Sequence, residues 1–291
     1  MYAFVKMICD NNTGHERFDH IRALDQETGE LVFQAYKNTR ELISYYTNFV
    51  YIHEALLELE TWCHQAKTTG EYLTRNHHMA EKLCRGFLYE FRAFVDHLET
   101  SIKRRHTENS ELYRLFKEKS GYAYDNIPEY RFTYQLRNCS QHCVDIVHSI
   151  QGTPTGLRPS SVPDKLLAEF DWNAKNKAYL NNMTGNIDLQ TTFEKTYNAV
   201  GYYQQPIIQY VLENNQVNVD IKYLRDWGEV LSPSSSQIFN WHFMNMKRSD
   251  GSDATPEDYN QRVSGLIFDA YPIDWKAVYE ITDSLTPRKS K

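Results

Sequence analysis

The sequence predicts a mainly α protein: an N-terminal helical bundle, then a less regular, mostly helical region with minor β structure. Three observations carry this. Apolar side chains recur every three or four positions over long stretches between residues 36 and 150. The breaks between those stretches are short and marked by Gly, Asn or Pro. The 291 residues are 41% apolar and 24% charged, an ordinary balance for a chain that buries a core.

Residues 1–35 read as an N-terminal extension, either a small hairpin around Thr28 and Gly29 or the beginning of a helix. A long helix follows, with Leu42, Tyr45, Tyr46, Phe49, Ile52, Leu56 and Leu57 at steps of three and four. Thr68, Thr69 and Gly70 break it. Met79, Leu83, Phe87, Phe91, Phe94 and Leu98 form the stripe of a second long helix. A shorter third helix has Asn109 or Ser110 as its cap and Gly121 at its end. Pro128 opens a fourth, expected over about 129–150. Residues 36–155 are therefore the bundle.

The stretch "QGTPTGLRPSSVPD" is a loop by composition. Beyond it, the region 156–291 begins with a short helix capped by Asp164. Another starts with a capping box, Thr191 with Glu194, and is kinked or cut short at Pro206. "DIKYLRDWGEVL" is helical, and "QIFNWHFMN" is a strand.

The composition narrows the function classes. A formal charge of −6 gives no global attraction to nucleic acid or to an anionic membrane, so any such contact must be local. The five Cys are odd in number and scattered, which fits a reducing compartment rather than a disulfide framework. The apolar N-terminus is too short for a signal peptide, and no apolar stretch is long enough to span a bilayer. A soluble, cytoplasmic protein is expected. With 21 Tyr, the core is expected to contain rings that are buried while their hydroxyls are satisfied.

The stretch "YQLRNCSQHCVDIVHSI" gathers most of the groups capable of chemistry. Asn138 and His142 lie four apart, so they are about 40° apart around a helix; Arg137 and Gln141 form a second such pair on the adjoining face. Two copies of this helix across a two-fold axis would pool Arg and His groups in one cleft. That combination suits RNA cleavage: Arg stabilises charge growing on phosphate, His moves a proton, and Asn orients either group. With the 2′-hydroxyl as nucleophile, no metal and no cofactor are called for.

Arg137, Asn138 and His142, with four residues between Arg and His, resemble the signature of the HEPN superfamily. The wider context "YRFTYQLRNCSQH", preceded by "FRAFVDHLETSIKRR", is similar to a group of uncharacterised bacterial HEPN-like proteins. The resemblance covers residues 36–155. It implies a dimeric, metal-independent endoribonuclease, a toxin or phage-defence role, and an antitoxin or sensor partner. Some members of the superfamily instead serve as non-catalytic interaction modules.

Arg92 and His97 match the same spacing, but Ala93 replaces the polar residue after Arg. Asp96 and His97 are read either as support for Arg137 or His142, or as part of an Asp–Arg pair that fixes helix register. Lys103, Arg104 and Arg105 are candidate RNA-backbone contacts or a solvated helix end. Cys139, His142 and Cys143 lack the further ligand a zinc site needs, so the Cys residues read as packing and no metal is expected. Cys63, His64, His77 and His78 read as helix surface or helix start.

Overall fold

The computed structural model describes residues 1–9, 16–65, 73–142, 145–154, 156–232, 241–255, 257–258, 266–271 and 273–285. The fold is mainly α. Its elements are β1 (Tyr2–Cys9), β2 (Glu16–Leu24), α1 (Gln26–Gln65), α2 (Leu73–His106), α3 (Glu111–Asn126), α4 (Pro128–His142), β3 (Ser149–Thr153), β4 (Gly156–Ser161), α5 (Pro163–Glu169), α6 (Ala174–Asn181), β5 (Ile187–Asp188), α7 (Leu189–Leu212), α8 (Asn215–Leu231), β6 (Trp241–Arg248), β7 (Leu266–Tyr271) and α9 (Trp275–Leu285). No described helix is long and apolar enough to cross a membrane.

The chain divides into two compact units, Met1–Tyr46 with Val211–Lys291, and Thr47–Tyr210. Both divisions fall inside helices, α1 and α7. The sequence boundaries at 35/36 and 155/156 lie elsewhere, one inside α1 and one at the start of β4.

The first unit holds an antiparallel sheet in the order β2-β1-β6-β7. Strand alternation sorts the start of β1. Phe4 packs against Phe243, Trp227 and Trp275, with ring centroids 5.3–6.0 Å apart. Ala3 and Val5, on the other face, join Met244, Met246 and Ala254 in an apolar cluster. Of the two readings of Thr28 and Gly29, the beginning of a helix holds and the hairpin does not. Those residues lie in α1, and Asp25 accepts from the Thr28 amide at 2.8 Å and from its hydroxyl at 2.7 Å. An Asx cap outweighs the turn tendency of Gly. The hairpin forms upstream instead, between β1 and β2.

The second unit is the helical bundle. The predicted α2 stripe is confirmed at Phe87, Phe91, Phe94 and Leu98, all buried, while Met79 is 36% exposed. On α1, Ile52 and Leu56 are buried but Leu57 faces outward. Residues beyond 155 complete this core. Phe193 of α7 stacks on Phe87 at 4.4 Å, and Tyr203 packs on Phe94 and Phe116, each at 6.2 Å. The hydroxyls of Tyr130 and Tyr203 meet at 3.3 Å, so two buried rings satisfy each other.

Several local expectations change. Ser110 does cap α3, accepting from the Tyr113 amide at 3.1 Å, but the helix runs through Gly121 to Asn126. Asp164 sits inside the first turn of α5, whose cap is Val162. Asp188 takes the role given to Thr191, accepting from the Thr191 amide at 3.2 Å. Pro206 lies within α7, which continues to Leu212. The loop expected at 151–164 instead holds the end of β3 and all of β4, a hairpin that adds β5 as a third strand. β5 reaches only Ser160 and Ser161, so Pro159 faces no ladder partner there. The strand expected at 237–245 is found from Trp241 onward; residues 237–240 lie outside the described ones.

The hairpin turn meets α1 at one tight point. Gly156 has φ +138°, and a Cβ built on it falls 2.0 Å from the Cys63 carbonyl oxygen. Only a residue without Cβ fits. Gly156→Ala is expected to lower stability by roughly 2–3 kcal/mol, read as a shifted urea midpoint at unchanged slope. A midpoint equal to that of the wild type would show that this contact does not constrain the turn.

Candidate functional site

Helix α4 is pinned on most of its surface. Pro128 starts it, and Glu129 in its first turn pairs with Lys195 of α7 at 2.7 Å. Phe132 stacks on Trp172 at 5.5 Å, and the Thr133 and Thr196 hydroxyls meet at 2.8 Å. Arg131 donates to the carbonyls of Tyr124 and Asp125, both at 3.1 Å, near the C-terminus of α3. The Gln135 side-chain oxygen Oε1 accepts from the Asn176 side-chain amide at 2.9 Å and from the Asn173 backbone amide at 3.2 Å. Leu136 and Cys139 are buried.

The exposed remainder is the motif. Arg137 and Asn138 are half-buried; Gln141 and His142 are exposed. Arg137 donates from Nη1 to the Gln141 side-chain oxygen at 2.7 Å, the i to i+4 pair that helix geometry predicts. The His142 ring lies nearly parallel to Phe170, with centroids 6.4 Å apart. Arg137 thus turns to Gln141 and His142 to Phe170, so a site using both needs something added from outside.

The helix ends at His142, short of the expected 150. The cause is Glu81 of α2, which is 8% exposed. Its carboxylate accepts the Ile146 amide at 3.1 Å and the Val147 amide at 2.8 Å. Arg85 pairs with Glu81 at 2.6 Å and also donates to the Ser140 carbonyl in the last turn of α4. His77 bonds the Val147 carbonyl at 2.7 Å. A second residue assigned to the helix by sequence, His148, therefore lies in the segment after it. There its Nδ1 accepts the Val162 amide at 3.0 Å. The signal for this cluster was present as Glu81 and Arg85 at i and i+4, a spacing common on helix surfaces that does not announce burial.

The other candidates separate from the motif. Arg92 pairs with Asp96 at 2.9 Å on its own helix and lies 4.2 Å over the Tyr134 ring. Asp96 therefore supports helix α2 rather than Arg137, and His97 is exposed. Lys103 is held by Glu99 at 3.3 Å and Glu108 at 3.2 Å. Its ammonium is raised above its ordinary value, most strongly by Glu108. Arg104 and Arg105 are exposed at the end of α2. They lie 19 and 20 residues beyond Arg85, about 29–30 Å along the helix, so one chain does not bring the basic run to the motif. Cys139 is buried while His142 is exposed, and Cys143 lies outside the described residues. Burial pushes the Cys63 thiol up to about 12 and the Cys84 thiol well up too, as suits inert packing groups.

Two predictions follow from the Glu81 cluster. Glu81→Ala strands two buried amides and is expected to destabilise by about 3 kcal/mol, with faster hydrogen exchange at Ile146 and Val147. Unchanged exchange at both amides would remove Glu81 from this role. Burial, reinforced by Lys165 and opposed by Glu169, Glu81 and Asp145, holds His148 below its ordinary value. Protonating Nδ1 would also remove the acceptor for Val162. The unfolded chain takes up this proton first, so stability is fully present above pH ~6.5 and declines as pH falls toward the lower folded value. His148→Asn, compared with wild type in urea titrations between pH 7.5 and 5, is expected to flatten that decline.

No family model, no curated protein and no solved structure matches this chain.

Proposed function

We propose that the chain is a metal-independent endoribonuclease acting as a homodimer, with its site built from two copies of the α4 end. The observation that carries this reading is a half-buried Arg137 beside exposed Gln141 and His142 on a helix otherwise fixed by packing. A rigid helix presenting an Arg and a His to solvent supplies two of the groups that RNA transesterification uses. In this reaction the 2′-hydroxyl oxygen attacks the adjacent phosphorus and the bond to the 5′ oxygen breaks. The products are a cyclic phosphate and a free 5′-hydroxyl. Arg137 contacts the phosphate and offsets its growing charge. His142 transfers the proton of the attacking or the leaving oxygen. Asn138 orients them. Cleavage of a cell's own RNA fits a toxin or defence effector in the cytoplasm, restrained by an antitoxin or sensor partner.

Purified protein incubated with total RNA is expected to release fragments ending in cyclic phosphate. Arg137→Ala and His142→Ala are each expected to slow release by about 10²-fold or more. Mixing the two inactive variants is expected to restore part of the activity, because a shared site needs one intact group from each copy. Equal cleavage by the wild type and both variants would sink the assignment.

A further inference from the structure

The outward side of α1 and α2 holds a feature that the α4 motif does not use. On α1, Ile52, Leu56 and Leu59 are turned into the core, each 4% exposed or less. Tyr51 and Leu57, on other sides of the same helix, remain 48% and 49% exposed. A groove follows this outer side. Its wider end encloses about 680 Å³ between Leu57 and Trp62 of α1 and Met79 and Leu83 of α2. A narrower continuation of about 210 Å³ runs past Tyr51 and Gly86.

The spacing of the lining points to the shape of the occupant. On α1 the groove is lined at 51, 54, 55, 57, 58, 61, 62 and 65; on α2 at 76, 79, 83, 86 and 90. The α2 positions step by three and four, and the α1 positions form adjoining rows of that step, the seam that faces another helix in helix–helix packing. Early α1 positions share the groove with late α2 positions, so the two helices run antiparallel along it. The α1 series spans 14 residues, about 21 Å or four helical turns.

Charge and shape narrow the occupant further. The ionisable lining residues are Glu54, Glu58 and Glu90; among the described residues no Lys or Arg lines the groove. Gly86 is in mid-helix, where Gly weakens the helix. A Cβ built there meets nothing within 4 Å. The packing of this chain does not ask for Gly86, whereas a backbone arriving from outside has room because of it.

We propose that this groove docks one amphipathic helix of a partner protein, about four turns long, with apolar side chains inward and Lys or Arg along its flanks. The inference is independent of the ribonuclease reading, because its test reads peptide binding and not RNA cleavage.

The test is fluorescence anisotropy of the full chain with a labelled model helix of Leu and Lys, beside a counterpart carrying Glu in place of Lys. The basic helix is expected to bind, more weakly as salt is raised, and the acidic one not to bind. Glu58→Lys/Glu90→Lys is expected to weaken binding about tenfold or more, and Gly86→Leu similarly at an unchanged or higher Tm. Glu118→Lys/Asp164→Lys makes the same change in net charge outside the groove and is expected to leave affinity within about twofold. Absence of binding overturns the proposal. So does equal weakening by the control pair, or full binding by Gly86→Leu. Loss of self-association in the Glu58/Glu90 variant, with peptide binding intact, would instead assign the groove to a second copy.

Discussion

The Glu81 carboxylate accepts backbone amides from Ile146 and Val147 in a place nearly closed to water, and the candidate site depends on it. A charge so buried is tolerable only when its lone pairs are filled. Two amides and the Arg85 guanidinium fill them. Arg85 then reaches the Ser140 carbonyl, so one ion pair holds the last turn of α4 and the segment that leaves it. In a continued helix, the Ile146 and Val147 amides would bond carbonyls four residues back. Glu81 takes them instead, and α4 stops at His142. Arg137 and His142 thus stand at an end that is fixed in orientation yet open on one side.

Aromatic packing supplies the rigidity behind that end. Phe87, Phe91 and Phe94 of α2 meet Phe193, Tyr130 and Tyr203 from α7 and α4. Each fully buried ring of this kind contributes about 1.5–3 kcal/mol. The Tyr130–Tyr203 hydroxyl pair and the Thr133–Thr196 pair add polar contacts that are satisfied only in one helix register. Register matters here because sliding α4 along α2 would also break the Arg85–Ser140 contact. In the first unit the aromatic cluster of Phe4, Phe243, Trp227 and Trp275 plays the same part for the sheet.

The helices were legible where a long apolar stripe repeats. The α2 positions Phe87, Phe91, Phe94 and Leu98 are buried as their spacing predicts. The first three helices and the opening of the fourth at Pro128 were readable too, since Ser110 and Pro128 are local signals. Expectations failed where one local signal competed with another or with a distant partner. Gly29 suggested a turn, but Asp25 caps a helix across it. The Gly and Pro residues of 151–164 suggested a loop, but they bend and border a hairpin, with Gly156 needed against Cys63. The pair Arg92 and His97 matched the motif spacing, but Asp96 and Tyr134 engage Arg92 within the bundle. These contacts, not spacing, separate it from Arg137 and His142.

The sequence by itself determined that this is a mainly α chain, which helices carry the core stripe, and that Arg137, Asn138 and His142 share one helix. Periodicity and capping are local, so they survive in the sequence as patterns. Only the tertiary structure decided that α7 completes the bundle, that Glu81 ends α4, and that the outer faces of α1 and α2 enclose an acidic, apolar groove. Each of these joins residues far apart in the chain, such as Phe87 with Phe193 and Glu81 with Val147. Their energy comes from excluding water between surfaces that no short stretch of sequence contains.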